Sequence, residues 1–251
     1  MDSSLNSLSK LLGGPVLITG HTGFKGTWLT LLLEQLGVEV VGYSLAPEVD
    51  SIYSRIGLQG RILEEFADIR DLSSVQKFIN RIQPVAIIHL AAQPLVIESY
   101  KSPRETFETN VLGTVNLLDS AFRSNQTKAF LSITTDKVYR NDNNGQAFKE
   151  SDALSGKDPY SASKVGSEAA IAAWQQIAKS SGGPKVVATR AGNVIGGGDW
   201  AKNRLIPDLI RGFSQGEVVQ VRNPLSTRPW QHVLDPLVGY LLTLQEVLKG
   251  T

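Results

Sequence analysis

The apolar positions of this chain fall into short unbroken runs, separated by stretches in which they recur every three or four residues. Val16-Leu17-Ile18-Thr19 is the first run, as expected of a strand buried on both faces. Trp28, Leu29, Leu32, Leu33 and Leu36 then keep helical spacing and stop at Gly37, a residue that ends helices. The same alternation predicts strands over 38–43, 62–66, 85–89, 129–134 and 185–190, and helices over 71–82, 103–123 and 159–179. Asp71 is a plausible N-cap for the helix over 71–82. Asn141 to Gly145 reads as a polar turn. Beyond Arg190 the rhythm loosens. A glycine loop, Gly196-Gly197-Gly198-Asp199-Trp200, is followed by a short helix over 205–213, a short strand over 218–221 and a final helix over 234–248. Met1 to Gly14 reads as a short helix or a frayed lead-in.

Strands joined by helical crossovers imply an α/β protein with a parallel sheet covered by helices on both faces. Ligands bind such sheets at the carboxyl ends of the strands. The unusual residues fall there, just after the first, fourth, fifth and sixth strands.

Gly20-His21-Thr22-Gly23-Phe24-Lys25-Gly26 directly follows the first strand and opens a helix. Gly20 permits the tight turn, Gly23 lets backbone amides approach a pyrophosphate, and Gly26 lets the helix pack on the strand. The helix start adds free N–H groups and partial positive charge. The fold class is therefore a doubly wound, parallel-sheet Rossmann fold with a dinucleotide cofactor. The expected organisation is a lead-in over 1–14, the dinucleotide domain over 15–190 and a smaller substrate-binding region over 191–251. The second strand ends Gly42-Tyr43-Ser44-Leu45, without the acid that grips the NAD ribose and without arginines for a 2′-phosphate. The choice between NAD and NADP stays open at that position. Asp68, with Ile69 beside it, is a candidate for the adenine edge or an ordinary loop carboxylate.

Tyr160 and Lys164 lie one turn apart at the start of a helix, on one face. A tyrosine acting as a base near neutrality must lose about 3 pKa units, roughly 4 kcal/mol. A neighbouring ammonium and a helix N-terminus favour the phenolate. Lys164 also suits the cofactor ribose. Thr134-Thr135-Asp136-Lys137 follows the fifth strand. A threonine hydroxyl there can hold a substrate alcohol while Tyr160 removes its proton, with Asp136 and Lys137 as an acid and a base at the same strand end.

Composition narrows the picture. The 251 residues carry a net charge of +1 and no cysteine. That gives no electrostatic reason for a nucleic-acid or anionic-membrane partner, and it excludes disulfides and thiolate chemistry. No apolar run approaches the ~18 residues of a membrane span, and a cytoplasmic protein is expected. His21, His89 and His232 show no metal-ligand spacing, so no metal site is expected; His89 reads as a buried strand-end residue.

Together these residues resemble the extended short-chain dehydrogenases that act on nucleotide sugars, and among them the CDP-glucose 4,6-dehydratase group. The resemblance is carried by the glycine loop and by His89-Leu90-Ala91-Ala92-Gln93-Pro94-Leu95-Val96, Thr109-Asn110-Val111-Leu112-Gly113-Thr114 and Thr135-Asp136-Lys137-Val138-Tyr139. Thr189 to Trp200 and Arg228-Pro229-Trp230-Gln231-His232-Val233 complete it. It implies NAD as cofactor, held by Gly20, Thr22, Gly23, Phe24, Lys25, Gly26, Asp68, Ile69, Leu90, Ala91, Ala92, Gln93, Asn110, Tyr160 and Lys164. It implies Thr135, Asp136, Lys137, Tyr160 and Lys164 as catalytic residues. Gln93, Asn193, Arg190, Arg204 and Arg228 would hold the nucleotide sugar, the arginines matching its diphosphate or serving as structural residues. The implied reaction oxidises the glucose C4, removes water across C5 and C6, and returns hydride to C6. Lys137 stands where dTDP-glucose enzymes carry glutamate. Two departures bear on the expectation. Family members continue well beyond the Arg228 segment, so the substrate lobe is expected to be incomplete here. Ile97-Glu98 also stands where relatives carry arginine. The competing readings are a nucleotide-sugar 4-epimerase, a GDP-mannose dehydratase and an inactive dinucleotide-binding module. Helices 103–123 and 159–179 suit a homodimer interface or ordinary core.

Overall fold

The structure is a computed structural model that describes residues 5, 7–145, 147–221 and 224–250. Residues 1–4 and 6 of the lead-in lie outside it. The elements in chain order are α1 (Leu8–Leu12), β1 (Val16–Thr19), α2 (Phe24–Gln35), β2 (Val40–Ser44), α3 (Ile52–Arg55) and β3 (Leu63–Phe66). Then come α4 (Leu72–Ile82), β4 (Ala86–His89), α5 (Val96–Lys101), α6 (Pro103–Phe107), a π-helical turn (Glu108–Leu112), α7 (Gly113–Arg123) and β5 (Ala129–Thr135). The chain closes with α8 (Pro159–Ser181), β6 (Lys185–Ala191), β7 (Asn193–Ile195), α9 (Leu205–Gln215), β8 (Trp230–His232) and α10 (Leu234–Lys249).

Six parallel strands form one sheet in the order β3-β2-β1-β4-β5-β6. The strand order reverses between β1 and β4, and a crevice at the carboxyl ends opens there. Alternation along each strand feeds two cores. Val16 and Ile18 of β1, Ile88 of β4 and Leu131 of β5 face α1, α2 and α10. Leu17, Ile87 and Phe130 face α4, α7 and α8. β1, β2, β4 and β5 are buried on both faces, which is why they read as nearly continuous apolar runs, whereas the edge strand β3 is partly exposed.

Leu5, Leu8 and Leu12 are fully buried against α10, so the described part of the lead-in is core rather than a frayed end. The terminal helix returns to the same core through Leu237, Leu241 and Leu244. The helix expected over 103–123 is present but carries the π turn in its middle. The strand expected over 218–221 is absent: those residues form no ladder, Val218 is wholly exposed, and β7 pairs instead with β8. Exposed as it is, the run leaves its backbone groups to water, and among the described residues no neighbouring strand is present to draw them into a ladder.

Candidate active site

The phosphate loop is wound tightly onto the end of β1. Gly20 has φ +77°, and a Cβ there would stand 2.7 Å from the Ala91 amide nitrogen, across the switch point. A Cβ at Gly26 would lie 2.1 Å from the Gly20 carbonyl oxygen. Side chains at either position are sterically impossible without moving backbone. Gly23 caps α2 in extended backbone, and no side chain accepts from the first turn. The leading N–H groups of α2 are thus left to an anionic ligand, and the cradle fits a dinucleotide pyrophosphate.

The loop is tied down on three sides. The Thr22 hydroxyl lies 2.7 Å from that of Ser44 and donates to the Leu45 carbonyl at 3.1 Å, which anchors the loop to the end of β2. His21 turns inward, fully buried, with Nε2 2.8 Å from Glu64 and its ring stacked on Phe66. Burial holds its pKa below the usual histidine value although Glu64 opposes this. Lys25 Nζ donates to the Tyr240 hydroxyl of α10 at 3.2 Å. Burial, reinforced by Arg204 and opposed by Asp136, lowers Lys25 to about 8.

At the ends of β3 and β4 the expected contacts divide. Asp68 is held by Arg70 through a 2.6 Å ion pair and a backbone N–H. Burial pushes its carboxyl up, but Arg70 outweighs this and the net shift is downward. Ile69 is buried beneath Gly113. Leu90, Ala91 and Ala92 line the other side of the crevice, half-buried. Gln93 is engaged by its own neighbourhood: Nε2 donates to Thr106 at 2.9 Å and Oε1 accepts from the Leu95 amide at 2.6 Å. Asn110, in the π turn, bridges this loop to α8. Its Nδ2 donates to the Gln93 carbonyl at 3.1 Å and to Ser163 at 2.8 Å, and its Oδ1 accepts from the Gln93 amide at 2.8 Å. The Asn110 carbonyl accepts from the hydroxyls of Thr114 and Ser167. A π turn redirects one residue out of the helical ladder, and here that residue joins β4 to the helix of Tyr160.

Helix α8 begins where the chemistry needs it. Asp158 and Ser161 cap each other's backbone N–H at 2.9 and 3.1 Å, and Pro159 takes the first helical position. Tyr160 therefore sits in the first turn, with its backbone N–H on the Ser99 hydroxyl at 3.1 Å. Its phenol neighbours Thr135, close enough for the threonine to favour the phenolate, and the residue is 8% exposed. Lys164, one turn on, donates from Nζ to the Ile133 carbonyl at 3.2 Å. Asp136 lies 3.0 Å from the Thr135 hydroxyl, and Lys137 Nζ stands 5.9 Å from the centre of the Tyr160 ring. The five catalytic candidates thus meet at the carboxyl end of β5.

The expected depression of the tyrosine is not produced by these residues alone. Burial pushes Tyr160 up to about 12, and the neighbouring Thr135 and Arg204 recover only part of that shift. Lys164 is turned to a strand carbonyl, and burial lowers it to about 8. Burial also lowers Lys137, with Asp136 opposing.

The substrate candidates separate likewise. Arg204, paired with Asp199 at 3.0 Å, lies near enough to shift both Tyr160 and Lys137. Arg228 is exposed and acts on Lys137. Asn193 is half-buried on β7, its backbone N–H on the Pro229 carbonyl. Arg190 is locked into a two-point ion pair with Glu168 of α8, at 2.9 and 3.0 Å. Among the described residues no cluster of His, Cys, Asp or Glu is arranged to hold a metal.

Residues 16–251 match the NAD dependent epimerase/dehydratase family. The chain belongs to that family. Membership makes NAD its cofactor and resolves what the end of β2 left open. A CDP-glucose 4,6-dehydratase from Salmonella typhimurium is 44% identical over 241 residues, which cover 94% of this chain and 67% of that protein. A dTDP-glucose 4,6-dehydratase from Streptomyces venezuelae, solved with NAD and TYD bound, matches with a TM-score of 0.80 at 25% identity, covering 92% of this chain and 71% of that one. UDP-glucose 4-epimerase from Thermus thermophilus, in complex with NAD, gives a TM-score of 0.78 at 26% identity, covering 92% and 74%. The chain spans about two thirds to three quarters of the length of these relatives.

Within this family member, two residues at the site were not singled out by the reading of the sequence, Tyr240 and Glu168. Tyr240 reaches Lys25 from the far end of the chain, and no local pattern announces it. Glu168 does have one: it follows Lys164 by one further turn and so shares the face of Tyr160.

Proposed function

We propose that the chain is a nucleotide-sugar 4,6-dehydratase that takes CDP-glucose and gives CDP-4-keto-6-deoxyglucose. The observation that carries this reading is the acid–base pair Asp136-Lys137 beside Thr135 and Tyr160 at one strand end, with Asp136 3.0 Å from the Thr135 hydroxyl and Lys137 5.9 Å from the Tyr160 ring. The 44% identity to a CDP-glucose enzyme supports the nucleotide. NAD, when bound, supplies the hydride acceptor at C4 and the donor at C6. Thr135 orients the 4-oxygen and Tyr160 takes the 4-hydroxyl proton as that carbon becomes a ketone. The ketone acidifies the C5 hydrogen, which Lys137 removes. That step needs a neutral amine, and the burial that lowers Lys137 favours one. Asp136 gives a proton to the departing C6 hydroxyl, and Lys137 returns its proton to C5, so the net change is loss of one water. Lys164 holds the cofactor ribose, and Arg204 and Arg228 face the diphosphate. A 4-epimerase has no use for an acid and a base after Thr135, which disfavours that alternative. A homodimer in the cytoplasm completes the reading.

The deciding experiment incubates the protein with CDP-glucose, with and without added NAD, and weighs the sugar nucleotide by mass spectrometry. The expected product is lighter by one water. Unchanged CDP-glucose with NAD binding intact would overturn the reading, and parallel dTDP- and GDP-sugars would show whether another nucleotide is taken. Lys137→Ala is expected to keep C4 oxidation and lose elimination. Loss of both would remove Lys137 from its role.

A further inference from the structure

The Arg190–Glu168 pair has no part in the mechanism above, yet it touches β5, the segment after it and α8, which carry the five catalytic candidates. Glu168 lies on α8 one turn beyond Lys164. Its Oε1 accepts from the Thr134 hydroxyl at 2.6 Å and from Arg190 Nε at 2.9 Å, and its Oε2 accepts from Arg190 Nη2 at 3.0 Å. Arg190 Nη1 donates to the Glu150 carbonyl at 3.1 Å, and the guanidinium lies over the Tyr139 ring at 4.8 Å. All three guanidinium nitrogens are engaged, and the two side chains are 17% and 7% exposed. A fork used in this way does not reach for a diphosphate.

A buried ion pair is weak evidence of stability, because apolar side chains of similar volume often hold a fold as well. Its connections say more. Thr134 and Arg190 are paired neighbours on β5 and β6. Thr134 precedes Thr135, whose hydroxyl meets Tyr160 and Asp136. Tyr139 closes the short turn that carries Asp136 and Lys137. Glu150 belongs to the segment leading into α8. One carboxylate therefore joins the strand that bears the hydroxyl and the acid to the helix that bears the phenol and the ammonium.

We propose that Glu168 and Arg190 are positioning residues, whose pair fixes the carboxyl end of β5 against α8 so that Thr135 and Asp136 stay in register with Tyr160 and Lys164. Misplacement of reacting groups by about 1 Å costs on the order of 10²-fold in rate. The kinetic part of the test rests on the dehydratase reading; the exchange part does not.

The test compares wild type with Glu168→Gln, Arg190→Met and the double variant Glu168→Met/Arg190→Met. It measures Tm, kcat and KM for CDP-glucose, and hydrogen exchange of peptides covering 133–139 and 159–168. Glu168→Gln is expected to lower kcat by about ten- to a hundredfold, with KM nearly unchanged and faster exchange in both peptides. The double variant is expected to keep or exceed the wild-type Tm while its kcat stays low and its exchange fast. A large rise in KM with kcat preserved in Arg190→Met would overturn the proposal and return Arg190 to the diphosphate. Recovery of kcat and slow exchange together with Tm in the double variant would reduce the pair to packing. If wild type leaves CDP-glucose unchanged, the dehydratase reading fails by itself. The exchange data then decide the positioning role: acceleration in both peptides upholds it and unchanged exchange overturns it.

Discussion

His89 ends β4 between two threonines, and their hydrogen bonds settle its tautomer. The Thr114 hydroxyl proton goes to the Asn110 carbonyl at 2.6 Å, so His89 Nε2 is the donor to Thr114 at 3.0 Å, and Nδ1 accepts from Thr19 at 2.7 Å. Complete burial, with Lys164 adding to it, pulls the imidazole down to about 3 from 6.5. Between those values the unfolded chain binds a proton that the native state refuses. Stability is therefore fully present above pH 6.5 and is lost as the pH falls toward 3, by an amount on the order of a few kcal/mol. Tm is expected to drop across that window in wild type and to be flatter in His89→Gln; equal slopes would assign the acid sensitivity elsewhere. Tyr160→Phe removes the proposed proton acceptor while keeping the ring, and kcat should fall by about 10²–10⁴-fold with NAD affinity kept, as calorimetry would show. The placement of Tyr160 and Lys164 one turn apart on α8 and the burial of His89 were legible because each lies in a short local pattern. The engagement of Arg190 by Glu168 was not, because no spacing tells whether an arginine on a strand turns to a ligand or to the neighbouring helix.

Among the elements, the glycine loop, the six strands of the main sheet and the long crossover helices follow from periodicity, whereas α3 and α5 do not, since four to six residues hold too little of the helical repeat to be read. The π turn does not, because one redirected residue leaves the apolar spacing of 103–123 intact while moving Asn110 out of the ladder. The strand expected over 218–221 failed for the opposite reason: its composition suits a ladder that its surroundings do not supply. Helix α8 shows how local chemistry sets a functional position. Its reciprocal cap at Asp158 and Ser161 fixes the turn that carries Tyr160. Asp158→Ala is expected to cost about 1 kcal/mol, read as a lowered denaturant midpoint, and to lower kcat more than that loss of stability explains.

Taken whole, the molecule holds its cofactor site between two buried layers, so ligand and fold are linked. NAD at a hundred times its Kd should raise stability by about 2.7 kcal/mol if the unfolded chain does not bind it. Gly26→Ala, which sets a methyl against the Gly20 carbonyl, is expected to abolish that thermal shift, and a retained shift would show that the loop has another way to open. Phe213, Val218 and Leu225 stand exposed on the region after β7, whereas Thr135, Tyr160 and Lys164 at the end of β5 are buried. The loop of Gly196 to Gly198 after β7 touches an indole: Trp28 of α2 donates to the Gly197 carbonyl at 2.9 Å and meets His232 edge-on. That hydrogen bond makes Trp28 a fluorophore wired to the loop. With Trp174, Trp200 and Trp230 replaced by phenylalanine, the emission colour of this one side chain would report loop movement as sugar nucleotide arrives, turnover by turnover, without any added label.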